Sequence, residues 1–139
     1  MRRTAALAAI SIILALTGCE TIGVSRGEGG YAEVKPTVAH EMIIDSHQIV
    51  VLDFRPIEDY WGALGHIAGA ISAPLSGIEN HLEALLPYRD STILVYADAE
   101  EESARGARIL AAAGFANVVR IQGGVRAWID LGYPTVSAD

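Results

Sequence analysis

Four carboxylates crowd into five residues of this chain. Asp98, Glu100, Glu101 and Glu102 lie within Ile93–Gly114, which reads ILVYADAEEESARGARILAAAG. Apolar, β-favouring residues precede them, and a helix is predicted from Ser103 to Ala113. Strand, tight loop and helix N-terminus is where α/β proteins commonly place anion chemistry. Backbone N–H groups converge there, and the helix dipole favours negative charge. Here the loop is itself negative and holds no cysteine. Its acids have two readings. They stabilise the helix through its dipole, by about 0.3–1 kcal/mol each, with Asp98 or Glu100 as the cap. Or they bind a basic partner segment or a weakly held cation. Ca²⁺ or Mg²⁺ suits clustered carboxylates, but this spacing matches no known cation loop, so no metal ligands and no cofactor are assigned.

The other chemistry-bearing residues read as structural. Asp53 and Arg55 close an apolar run, IVVLDF, and are expected to form an internal ion pair or hydrogen-bond network. His66, in Gly65-His66-Ile67, is expected to be a turn histidine rather than a base. His40 and His47 are not spaced as a metal pair and read as solvated surface residues. Trp61 and Trp128 read as core or groove-lining.

The elements that position these residues alternate. A short edge strand is predicted at Tyr31–Val34, then a helix from Val38 to Asp45 capped by Thr37. The continuous apolar run Ile49–Phe54 marks a strand buried on both faces of a parallel sheet. A short helix over Arg55–Tyr60, a turn and short strand through Ile71 to Pro74, and a helix over Ile78–Leu86 follow. Strand Ile93–Tyr96, the acidic loop and the helix to Ala113 come next, with Gly114 as its C′ residue. Strand Asn117–Ile121, a glycine turn and helix Val125–Leu131 complete the pattern. Strands alternating with helices predict an α/β fold with a mainly parallel sheet.

The N-terminus reads as an export signal. Arg2 and Arg3 precede an apolar run, Ala5 to Leu16, too short for the roughly 20 residues that span a bilayer. It ends in Leu16-Thr17-Gly18-Cys19, which resembles a bacterial lipobox. Cys19 is the only cysteine among the 139 residues. The expectation is a signal peptide at 1–18, lipidated Cys19 with a flexible glycine-rich tether at 19–30, and one folded domain at 31–139. Anchoring through acyl chains rests on about 0.8 kcal/mol per buried CH₂. Glu20 leans toward the outer membrane where one exists, with the domain facing the periplasm or exterior of the cell envelope. Removing Met1–Gly18 takes away two arginines and no acids, so the formal charge falls from −7 to −9 over 121 residues. That balance argues against a nucleic-acid partner. The expected partners are the membrane, through Cys19, and an unidentified protein.

The landmarks together resemble the rhodanese-like domain family. They are Leu52-Asp53-Phe54-Arg55 with Glu58 and Tyr60; Gly65-His66-Ile67-Ala68-Gly69-Ala70; Val95-Tyr96; and Gly114-Phe115, Gly123-Gly124, Ala127-Trp128 and Gly132-Tyr133-Pro134. The resemblance covers roughly Tyr31–Val136 and implies a three-layer α/β fold, a mainly parallel central sheet with helices on both faces. It also implies a cysteine that carries sulfane sulfur as a persulfide, in a loop of Cys, two variable residues, Gly, one variable residue, Arg, and Ser or Thr. Laid on this chain, that loop is Ala97, Asp98, Ala99, Glu100, Glu101, Glu102, Ser103. Ala97 stands at the nucleophile's position and has no lone pair to donate. Glu100 stands for the glycine, Glu102 for the arginine, and Ser103 alone matches. Four carboxylates would repel an anionic sulfur donor, since a unit pair at 4 Å is worth about 1 kcal/mol in water and about 4 at an effective dielectric of 20. The reading is a membrane-anchored homologue of the sulfurtransferases with no catalytic residue, acting as a binding or scaffold module. The alternatives are a sulfurtransferase-related or other enzyme that uses the acidic loop, with or without a metal, and a sensor or accessory subunit that docks a basic segment.

Overall fold

The computed structural model describes residues 23–138. Cys19, the apolar run before it and the proposed anchor lie outside them. Six strands form the central sheet: β1 (Val24–Arg26), β2 (Ala32–Val34), β3 (Ile49–Asp53), β5 (Ile71–Ser72), β6 (Thr92–Tyr96) and β7 (Asn117–Ile121). Their spatial order is β1-β2-β7-β6-β3-β5. β1 runs antiparallel to β2, and every other pairing in this sheet is parallel. A separate ribbon pairs β4 (His66–Ile67) with β8 (Thr135–Val136), antiparallel.

The helices are α1 (Pro36–Asp45), α2 (Ile57–Tyr60), α3 (Ile78–Leu85), α4 (Glu100–Ala112) and α5 (Gly124–Asp130). Alternation along the buried strands divides the core. Leu52, Ile93, Val95 and Val118 face one layer with Ile78 and Leu85 of α3 and Ala104, Ala107 and Leu110 of α4. Val51, Leu94, Tyr96, Val119 and Ile121 face the other with Ala39 of α1 and Val125 and Trp128 of α5. Because both faces are covered, these strands read as unbroken apolar runs. The small residues of α4 bring it close to the sheet: a Cβ on Gly106 would overlap the Phe54 ring.

Several boundaries differ from the sequence reading. Part of the stretch read as a tether, 19–30, is strand β1, which covers β2 and makes it an inner strand. α1 begins at Pro36, not Val38, with Lys35 rather than Thr37 at the N-cap. Proline's fixed φ suits the first helical position, where its missing N–H is not needed. α3 ends at Leu85 and passes into a 3₁₀ turn, Leu86–Tyr88, at Pro87. α4 begins three residues earlier than predicted, so Glu100, Glu101 and Glu102 form its first turn. His40 is not a solvated surface residue. It is half-buried, stacked on Tyr133 at 4.0 Å between ring centroids and 5.5 Å from Trp128. Trp61, read as core or groove-lining, is 50 % exposed, whereas Trp128 is buried and donates its indole N–H to the Pro134 carbonyl at 3.0 Å. Within the described residues, no helix is long and apolar enough to cross a membrane.

Candidate functional site

β6 delivers Ala97 to the carboxyl edge of the sheet, and only Asp98 and Ala99 separate it from α4. Ala97 is 1 % exposed and belongs to the apolar cluster that includes Phe54 and Ala104. The turn between β7 and α5 presses on it from outside. Gly124 has φ +60°, and a Cβ there would run into the Ala97 carbonyl oxygen. Glycine is required by both its conformation and its neighbour.

Glu100 closes this loop. Its carboxylate accepts a hydrogen bond from the Gly123 backbone N–H and pairs with the Arg120 guanidinium. Arg120 projects from β7 and is itself largely buried. It donates through Nε and Nη2 to Glu33 of β2, at 3.1 and 2.8 Å, and through Nη1 to the Ser103 hydroxyl at 3.4 Å. Glu33 and Arg120 are direct partners in the parallel register. Gln122 adds a bond to the other Glu33 oxygen at 3.3 Å. Burial alone would raise the Glu33 carboxyl, but the hydrogen bonds from Arg120 and Gln122, and the Arg120 charge, outweigh it and hold it below the usual carboxylate range. Burial likewise opposes charge on Arg120, and the bonds to Glu100 and Glu33 overcome it, raising that group. A guanidinium is thus held between two carboxylates where a small anion could otherwise approach the turn.

The acids of the loop therefore do different jobs. Glu100 is at the first helical position, and the N-cap is Ala99, so neither Asp98 nor Glu100 caps α4 through its side chain. Glu101 is exposed and pairs with Arg108 at 2.9 Å. Asp98 and Glu102 are exposed. Ser103 is buried and donates to the Glu100 carbonyl at 3.0 Å. The repulsive field is smaller than four free carboxylates would make, because Glu100 faces Arg120 and Glu101 faces Arg108.

The second cluster lies on the neighbouring strand. Asp53 is fully buried, and Arg55 is 1 % exposed. The Asp53 carboxylate accepts from Arg55 Nε at 3.0 Å, Nη2 at 2.7 Å and the Arg55 backbone N–H at 2.9 Å. Burial disfavours the Arg55 charge, but the bond to Asp53 and its charge more than offset this and raise the group. Arg55 Nη2 also donates to the Gly65 carbonyl at 2.7 Å. The Tyr96 hydroxyl accepts from the Ile67 N–H at 3.0 Å, and Tyr60 donates to the Ala70 carbonyl at 2.6 Å. His66 is buried, stacked on Tyr60 at 3.6 Å, with Nδ1 2.9 Å from the Tyr60 carbonyl. Burial, with the Asp53 charge, pushes the Tyr96 hydroxyl far above its usual range, so it stays a neutral hydrogen-bonding group. Asp53, Arg55, Tyr60, His66 and Tyr96 together bind segment 60–70 to the edge of the sheet.

Sequence reasoning missed Glu33 and Arg120. Each is a lone charge in a strand, Ala32–Val34 and Asn117–Ile121. That is a usable signal, but their pairing across the sheet depends on the strand order. Among the described residues, no group of three or more His, Cys, Asp or Glu side chains is placed to hold a metal ion.

A model of the rhodanese-like domain matches residues 35–131. The chain belongs to the rhodanese-like domain family. It is 32% identical over 95 residues to the uncharacterized protein YibN of Escherichia coli, covering 68% of this chain and 65% of that protein, just under two thirds of its length. Among solved structures, the Alr3790 protein of Anabaena sp. aligns with a TM-score of 0.67 at 25% identity, over 74% of this chain and 80% of that one. A thiosulfate sulfurtransferase from Pseudomonas aeruginosa aligns with a TM-score of 0.64 at 26% identity, over 75% of this chain and 20% of that one. The mainly parallel sheet and the helices on both its faces are the rhodanese-like architecture.

Proposed function

We propose that this rhodanese-like domain is a non-catalytic binding module held in the cell envelope by a lipid on Cys19. The carrying observation is Ala97, a buried methyl group at the end of β6, where the resemblance to the family implies a thiolate. The loop around it supports the same reading. Glu100 is seated against the Gly123 N–H and Arg120, so the donors at this turn already have an internal anion. The thiosulfate sulfurtransferase similar to this chain is a guide to what the fold can host, and a thiosulfate:cyanide assay is the matching test. Purified protein is expected to give no turnover above a heat-treated control. Turnover that survives Cys19→Ser would overturn the proposal. Anchoring is tested separately by labelled palmitate, which is expected on the native protein and not on Cys19→Ser; label on both would refute it.

A further inference from the structure

The carboxyl edge of the sheet also carries an apolar patch. α2 leaves Ile57 and Trp61 four residues apart, on one side of a helical turn, 44 % and 50 % exposed. The β4–β8 ribbon sets Val136, 44 % exposed, directly opposite His66. Side chains of directly opposed residues share one face of a ribbon. His66 links the two elements, because Trp61 meets its ring edge-on at 5.2 Å and Tyr60 stacks beneath it. Single exposed hydrophobic residues are ordinary. Here Trp61 and Val136 flank a buried, stacked imidazole, and Ile57 adjoins Trp61 along α2. A rigid aromatic anchor loses little freedom on binding, which is why tryptophan dominates interface energetics.

The charges around the patch select its occupant. Glu58 and Asp59 lie between Ile57 and Trp61 on α2, and both are exposed. Asp98, also exposed, leaves the same edge: it follows β6 as Arg55 follows β3, where Asp53 pairs with Tyr96, and its charge is felt at Arg55. Arg55 offers no counter-charge to solvent, since it is buried against Asp53. We infer that Ile57, Trp61 and Val136 form a docking surface for a basic, amphipathic segment of a partner protein, one that sets a bulky apolar side chain between lysines or arginines. The inference rests on the reading that this end of the molecule binds, and it supplies the partner chemistry which that reading leaves open. The acidic rim would repel an anionic bilayer.

The test uses the full chain in zwitterionic nanodiscs, empty nanodiscs as blank, and fluorescein-labelled peptides followed by anisotropy. Three peptides of equal length alternate Lys with Leu, Lys with Ser, or Glu with Leu. The Lys/Leu peptide is expected to bind saturably and at least tenfold more tightly than the other two. Trp61→Ala and the pair Glu58→Lys, Asp59→Lys are each expected to weaken it about tenfold. Ile44→Ala and the pair Glu41→Lys, Asp45→Lys, exposed on α1, supply the same changes elsewhere and are expected to leave it unchanged. Circular dichroism verifies that each variant is folded. Equal binding of the Lys/Ser or Glu/Leu peptide, no saturation below millimolar peptide, or equal effects of the α1 variants would overturn the inference. Quenching of Trp61 by brominated lipid in the nanodisc, lost in Trp61→Ala, would assign the patch to the membrane instead. Sulfurtransferase turnover on the same samples would sink the non-catalytic reading and leave peptide binding to stand or fall by itself.

Discussion

Replacing Arg120 by methionine isolates the network that closes the loop. Arg120 is 7 % exposed, Glu33 18 % and Glu100 56 % at the side chain. Without the guanidinium, Glu100 turns into water at a cost of about 0–1 kcal/mol. Glu33 cannot, and keeps only neutral partners, the 3.3 Å bond from Gln122 and the Tyr31 hydroxyl. Breaking a buried pair from one side costs about 3–5 kcal/mol, and the partial exposure of Glu33 puts this case near 3. Glu33→Gln should cost about 1 kcal/mol, because Arg120 keeps Glu100 and the amide still accepts a bond. Replacing both, as Glu33→Leu with Arg120→Met, should return to within about 1 kcal/mol of the native protein, since an apolar pair has no charge to desolvate. Urea denaturation followed by circular dichroism compares the three variants with the native protein, and 3 kcal/mol corresponds to roughly 12 °C in Tm for a domain of this size. The pH dependence has a definite sign. In the native protein the Glu33 carboxyl is lowered, so its contribution is fully present above the unfolded value, about 4.3, and is lost as pH falls through the depressed folded value. In Arg120→Met, burial is offset only by neutral hydrogen bonds, without the Arg120 charge and its bonds, and the carboxyl rises. Its penalty is felt at neutral pH and fades as pH falls through that raised value. Both effects narrow the gap between native and variant in acid. A loss under about 1 kcal/mol at pH 7, or one that does not shrink by pH 4.5, would refute the assignment of Arg120 as the buried partner of Glu33.

Two further outcomes probe the loop. Ala97→Cys with Glu102→Arg restores the thiol and the cation but should give no thiosulfate:cyanide turnover. The Glu100 carboxylate would still occupy Arg120 and the Gly123 N–H, the donors an incoming dianion would need. Adding Glu100→Gly should open the site, and equal turnover from the two-change and three-change variants would remove Glu100 from the explanation. Gly124→Ala should lose roughly 2–4 kcal/mol, because φ is +60° and the new Cβ meets the Ala97 carbonyl. Gly69→Ala, at φ +80° with open space around it, should lose about 1. Similar melting temperatures for the two would mean that the turn does not press on the loop.

The family and the α/β layering were legible because local signals agreed. Apolar runs at Ile49–Phe54 and Ile93–Tyr96 require a sheet covered on both faces, and the glycines at 114, 123 and 124 mark turns that few other residues tolerate. The boundary of α4 was misjudged because Glu100–Glu102 have good helix propensity as well as loop-like charge. The β4–β8 ribbon was missed because two-residue strands leave no periodic trace, and its pairing joins residues 66 and 136. His40 seemed solvated because its cover, Tyr133, comes from a distant segment.

From sequence alone comes the identity of the residue at one position: laid on the family's loop, Ala97 falls at the cysteine's place, and no packing can give a methyl group a lone pair. The crowding of acids beside it was equally plain. What those acids do was decided only by the tertiary structure. Glu100 finds a cation because parallel pairing of β2, β7 and β6 carries Arg120 from twenty residues away to the same edge, beside Glu33 from the far side of the chain. Charge is a property of a residue, but its sign at a site is a sum over neighbours, and those neighbours are chosen by strand order.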